Sequence, residues 1–166
     1  MKHIKTYESM SDLASDKTLK RQERLRVLSD MSLELWDSNF NVQVSSEVLR
    51  DDKYIVVNIV KRGSYIGKNI ELAKINLINR FDYSEIKDVF LSMVSYMESE
   101  DYSIKSIEVS ENQCYSYSTL TRLQKSSFPF QKVLLMEEEL YLRTSTQRPR
   151  QMVDYPIGQL IIKFKE

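Results

Sequence analysis

The side chains best placed to do chemistry in this sequence are charged. They are Glu137, Glu138 and Glu139 in a row, the pair Asp51 and Asp52, the cations Lys17, Lys20, Arg21 and Arg24, and an acid-free stretch containing Arg143, Arg148 and Arg150. Paired carboxylates can divide general-acid and general-base work or hold a divalent cation. Glu137 with Glu139, or Asp51 with Asp52, could do either, but adjacent acids in turns are ordinarily solvated and no second ligand set stands at a matching spacing. Clustered cations hold phosphates by counterion release or meet carboxylates on a protein partner.

Other site chemistries lack their raw material. The chain has one Cys, one His and three Gly. Cys114 and His3 cannot assemble a four-ligand zinc site, and a Ser-His-Asp or Cys-His centre would have to use His3, next to a chain end. Gly63, Gly67 and Gly158 fit neither a P-loop nor G-x-G-x-x-G, so phosphate cradles of those types are not expected. No cofactor or metal is expected, and the chain reads as a non-enzyme.

The composition bounds the class. With 166 residues, 24 basic against 24 acidic side chains, 42% hydrophobic and 29% charged, the chain fits one globular domain. Zero net charge gives no global attraction to nucleic acid or anionic membrane. A lone cysteine offers no intrachain disulfide, and no apolar run approaches the roughly 18 residues of a membrane span. The polar Thr6 to Ser9 replaces the apolar core of a signal peptide. A soluble protein of a reducing compartment is the expectation.

The elements that position the charges follow from periodicity. Residues 1–15 lack a clear period and read as an N-terminal arm. Ser15 or Asp16 can cap a long helix to about Trp36, with Val27, Leu28, Met31 and Leu35 on its apolar stripe. Lys17, Lys20, Arg21 and Arg24 occupy that same stripe one and two turns earlier. A helix docked along its whole length would not carry four cations there, so its first half is expected to stand past the edge of the core. Those cations are then either solvated and paired with Asp16 and Glu23, or a face for a partner.

Phe40, Val42 and Val44 alternate as a strand, Arg50 to Lys53 makes a turn, and Tyr54 to Lys61 returns with Ile55, Val57 and Ile59 on one face. Ile70 to Ile78 reads as a third strand with a bulge near Ala73. Asp82 or Ser84 caps a second helix whose buried face is Ile86, Val89, Phe90, Met93, Val94 and Met97. Lys105, Ile107 and Val109 form a strand. Residues 112–155 then form an irregular insertion, with a possible short helix at Thr119 to Lys125 ended by Phe128-Pro129.

Within that insertion, Val133 to Leu142 reads as one strand interrupted by Glu137 to Glu139, with Glu138 facing opposite to its neighbours. Arg143 to Gln151 reads as an exposed basic loop, and Leu160, Ile162 and Phe164 as a closing strand. The whole is an α+β domain, a mostly antiparallel sheet with a long N-terminal helix and a second packing helix.

Helix, three strands, helix is also the order of double-stranded RNA-binding domains. These carry a basic cluster at the start of the second helix, where this chain has Asp82, Glu85 and Asp88 with only Lys87. Nucleic-acid binding therefore rests on the first helix's cations and the arginine loop, with Tyr115, Tyr117 or Phe128 available for stacking.

The element order also resembles the small tail-terminator or neck proteins of tailed bacteriophages. The match covers the helix from Asp16, the strands from Phe40, Tyr54 and Ile70, the helix Asp82 to Glu98 and the closing strand Leu160 to Lys165. The opening peptide Met1 to Glu8 is similar to starts common among phage-encoded proteins. The long insertion departs from that compact pattern. The resemblance implies a ring-forming structural protein of the virion, assembled in the host cytoplasm, whose partners are copies of itself and other proteins of the particle. Glu137, Glu138 and Glu139 on one subunit would then meet Arg143, Arg148 or Arg150 on the next. Nucleic-acid binding is the alternative.

Overall fold

A computed structural model describes residues 4–49, 52–62, 80–111, 130–143, 149–153 and 155–166, with the surroundings of side chains from residue 16 onward except Leu49. The expected strand Ile70 to Ile78, the helix at Thr119 to Lys125, Asp51, Cys114, His3 and Arg148 lie outside these residues.

The first helix, α1 (Ile4–Met31), begins well before the expected cap. No glycine or proline interrupts these 28 residues, so propensity carries the helix through a stretch without an apolar period. It breaks at Ser32 and resumes as α2 (Leu33–Asp37). The Ser32 hydroxyl donates to the Ser29 carbonyl at 2.6 Å, the local side-chain bond by which serine competes with the helical ladder. Asn39, at φ 68°, reverses the chain into the sheet, a conformation asparagine tolerates better than most residues.

Among the described residues seven strands form one antiparallel sheet: β1 (Phe40–Leu49), β2 (Asp52–Lys61), β3 (Ser103–Ser110), β4 (Gln131–Met136), β5 (Glu139–Leu142), β6 (Arg150–Gln151) and β7 (Gln159–Lys165). Their spatial order is β1-β2-β7-β3-β4-β5-β6. The α+β architecture expected from periodicity is therefore present. Both β2 and β3 run antiparallel to β7, so they point the same way, and α3 (Lys87–Ser99) lies between them in sequence. The last strand thus inserts into a split β-α-β unit.

Alternation along the inner strands makes the core. Val42, Ile55, Val57, Ile59, Ile107, Val109, Leu160, Ile162 and Phe164 face Leu28 and Leu35 of α1 and α2 and Val89, Phe90, Met93, Val94 and Met97 of α3. Phe40 and Phe81 meet edge to face at 5.1 Å, as do Tyr83 and Phe90 at 5.6 Å, a geometry set by the ring quadrupoles. Phe81 also exchanges both main-chain hydrogen bonds with Ile157, each 2.9 Å, which fixes where β7 enters. The second face of β7 is buried as well. Ile161 packs with Tyr54 and Val56, and the buried Gln159 amide donates to Asn58 Oδ1 at 2.9 Å.

The expected arm 1–15 is thus helical from Ile4, the expected loop Arg143 to Gln151 ends in β6, and two further expectations change. The span 112–155 is not irregular throughout, since residues 131–136, 139–142 and 150–151 extend the main sheet. Val133 to Leu142 is not one strand but a hairpin, in which Met136 pairs with Glu139 around a two-residue turn at Glu137 and Glu138. Both turn residues have positive φ, 48° and 62°. That is what a two-residue type I′ hairpin requires, because its twist matches the strands it joins. The strand alternation assigned to these glutamates does not apply to a turn.

Candidate functional site

The ribbon β4-β5-β6 brings the sequence's acidic and basic groups onto one element and holds them apart. At one end is the turn, with Glu137 and Glu138 exposed and Glu139 half-buried. At the other end Val133 pairs with Leu142 and Leu142 with Arg150. The Arg143 amide donates to the Lys132 carbonyl at 3.0 Å. Arg143 and Arg150 are exposed there. Lys132, opposite Glu108 of β3, is exposed as well, so it joins the two arginines at that end. β5 separates the two ends by about 14 Å at the usual rise of a strand. That exceeds the roughly 8 Å screening length of physiological salt, so the ends do not neutralise each other.

Two contacts from the α3 region hold the acidic turn. The Tyr83 hydroxyl donates to the Glu138 main-chain carbonyl at 3.2 Å, and the Lys87 ammonium pairs with the Glu139 carboxylate. Burial pushes the Tyr83 phenol far above its ordinary range, with Glu139, Glu138 and Asp88 adding to the effect, so it remains a donor. The hydrogen bond to Glu139 raises the Lys87 ammonium. Glu139 is engaged within the chain, leaving Glu137 and Glu138 as the outward carboxylates.

The first-helix cations divide by turn. Residues 16–20 are all exposed, and Lys20 makes only a solvent-facing pair with Asp16 at 2.9 Å. One turn on, Arg21 Nη2 donates to the carbonyls of Tyr54 (2.9 Å) and Glu47 (3.4 Å). Arg24 binds Glu100 Oε2 through Nε and Nη2 at 3.0 and 2.7 Å and lies over the Tyr102 ring. Arg21 and Arg24 therefore clamp α1 to the sheet and to the end of α3, while Lys17 and Lys20 face solvent. Alternation on a helix could not separate these roles, because all four share one stripe and only the position of the sheet edge distinguishes them.

Asp52 is likewise a structural group. It pairs with Lys165 at 2.9 Å and accepts from the Tyr54 hydroxyl at 3.0 Å. Sequence reasoning also missed the stack of the Arg62 guanidinium on Trp36 at 4.2 Å, which no local pattern announces. Among the described residues no three His, Cys, Asp or Glu side chains gather closely enough to hold a metal ion, and no helix is long and apolar enough to cross a membrane. Comparison of the chain with protein-family models, curated proteins and solved structures finds no match.

Proposed function

We propose that this chain is a non-enzymatic assembly protein whose copies join head to tail. The acidic hairpin turn of one copy meets the Arg143 and Arg150 end of the next. One observation carries the reading: exposed charges of opposite sign sit at opposite ends of a single ribbon, too far apart to pair within the molecule. A contact between two different patches on identical subunits is heterologous, and it closes into a ring when the rotation allows. The element order that resembles phage tail-terminator and neck proteins supports placing such a ring in a virion neck or tail, assembled in the host cytoplasm. The nucleic-acid alternative is weakened, because Arg21 and Arg24, half of the cation stripe, are held by Tyr54, Glu47 and Glu100.

The test is the native mass of the untagged chain across concentration and at two salt levels. A discrete multimer that loosens with salt is expected, as is its loss in the double variant Arg143→Glu, Arg150→Glu. Mixing that variant with Glu137→Lys, Glu138→Lys should restore mixed assembly, since each supplies the charge the other lacks. Unchanged mass in both variants would remove the head-to-tail contact. Retention on DNA or RNA that falls steeply with salt would favour the alternative.

A further inference from the structure

The acidic end of the ribbon carries apolar side chains as well as charge. Met136, the last residue of β4, pairs with Glu139 of β5. On the other side of β5, β6 places Arg150 opposite Leu142 and Gln151 opposite Tyr141, and the next amide, that of Met152, donates to the Leu140 carbonyl at 2.8 Å. Continuing that register brings Val153 beside Glu139. Met136 and Val153 therefore flank β5 at the end that bears the turn, their backbones two strand spacings, or about 10 Å, apart.

Met136 is 40% exposed and Val153 66%. Among the described residues the other exposed large apolar side chains lie elsewhere: Leu19 on α1, Val48 on β1, and Leu33 and Trp36 on α2, where the Arg62 guanidinium already stacks on Trp36. An exposed apolar side chain standing singly needs no explanation. Two of them beside the exposed Glu137 and Glu138 make a mixed surface. Exposed ion pairs alone contribute little free energy and weaken with salt. Contacts that persist place apolar surface at the centre and charge at the rim, with methionine and arginine enriched.

We propose that Met136 and Val153 form the apolar centre of the head-to-tail contact, seated against the aliphatic stems of Arg143 and Arg150 of a second copy while the guanidinium groups reach Glu137 and Glu138. The inference rests on the head-to-tail reading and adds the residues that give that contact its affinity. Complementarity in two respects selects the basic end as the occupant. An arginine lays its methylene stem on apolar surface and keeps its charged head in polar surroundings, so one side chain covers a methionine or valine and answers a carboxylate together. Arg143 directly follows Leu142, whose partner across the ribbon is Arg150, so the two exposed arginines stand on adjacent strands and present a pair to a pair.

The experiment follows association by sedimentation across concentration, at two salt levels, for the wild type and three double variants: Met136→Ser with Val153→Ser, Met136→Leu with Val153→Ile, and Arg143→Glu with Arg150→Glu. All four positions are exposed, so folding should be unaffected, as thermal unfolding would verify. The serine variant should associate about tenfold more weakly per substitution while keeping the salt dependence of the wild type, since its charges remain. The variant with leucine and isoleucine keeps the apolar surface and should assemble as the wild type does. A serine variant that assembles as tightly as the wild type while the charge variant does not, or a leucine and isoleucine variant as weak as the serine one, overturns this inference and leaves the head-to-tail reading standing. If the charge variant keeps the wild-type mass, or the wild type is monomeric throughout, that reading fails and the inference with it.

Discussion

The strands beneath the helices and the ribbon that extends from them belong to one sheet but are held by different forces. β7 is buried on both faces between β2 and β3. It joins a hairpin made early in the chain to strands made much later, through side chains such as Phe164 at 0% exposure. The ribbon buries Val133 and Leu140, and its ends carry carboxylates and guanidinium groups. Apolar burial gives a fold its free energy, whereas exposed charge contributes little to stability and much to the choice and rate of association. The first region should therefore answer to volume and the second to sign.

The sharpest way to break this contrast is to remove volume from the centre. Phe164→Ala should destabilise the chain by about 3–5 kcal/mol, the usual cost of emptying a fully buried aromatic site. That approaches the whole stability of a domain of this size, so Phe164→Leu, expected to lose about 1.5 kcal/mol or less, keeps the measurement possible if the alanine variant does not fold. Urea midpoints are the readout. A loss under about 1 kcal/mol for the alanine variant would mean that β7 does not knit the two halves as described. The charge variants at Arg143 and Arg150 should change the unfolding free energy by no more than about 0.5 kcal/mol while changing the native mass.

The turn at Glu137 and Glu138 gives the next effect, of opposite sign. A non-glycine residue in the left-handed region costs about 1–2 kcal/mol, and two adjoin here. Glu138→Gly relieves one of them, while the Tyr83 bond survives because it ends on the main-chain carbonyl. A gain of about 1 kcal/mol in unfolding free energy, read as a higher urea midpoint, is expected. No gain would show that the surrounding contacts, and not the residue, determine the conformation. Loss of head-to-tail association in this more stable variant would place the Glu138 carboxylate in the contact.

The two regions also differed in how far the sequence revealed them. Ile86, Val89, Phe90, Met93, Val94 and Met97 were legible as a buried helical face because one period of 3.6 passes through all six, and all six are buried. The alternation of Phe40 to Val44, Ile55 to Ile59 and Leu160 to Phe164 was legible for the same reason. The burial of Ile161 was not, since the side chains that pack with it, Tyr54, Val56 and Phe130, are remote in sequence. The hairpin turn was hidden because Glu-Glu stands where Asn-Gly would announce a two-residue loop. Only three glutamates in an apolar run marked the place. Arg21 and Arg24 read as outward cations because their acceptors, two β-strand carbonyls and Glu100, are remote in sequence.

The smallest expected effect separates the regions by pH. Asp52 ties β2 to β7, and its carboxyl is held below its ordinary 3.8, first by the Lys165 hydrogen bond and then by that of Tyr54. A group whose folded value is depressed stabilises the protein above its unfolded value and loses that contribution as pH falls through the folded one. Lys165 and Lys87 are raised above 10.5, so their contributions are complete below that value and disappear only as pH rises past it. Between these limits both ties, Asp52 with Lys165 and Glu139 with Lys87, are intact. Asp52→Asn should therefore narrow its difference from the wild type as the urea midpoint is followed from pH 6 down to pH 3, while Lys87→Met shows its narrowing on the alkaline side. The differences should be modest, because both pairs are substantially exposed and screened by solvent. A parallel acid profile for Asp52→Asn and the wild type would show that Asp52 does not join the two strands energetically, and would leave burial alone to account for the centre of the sheet.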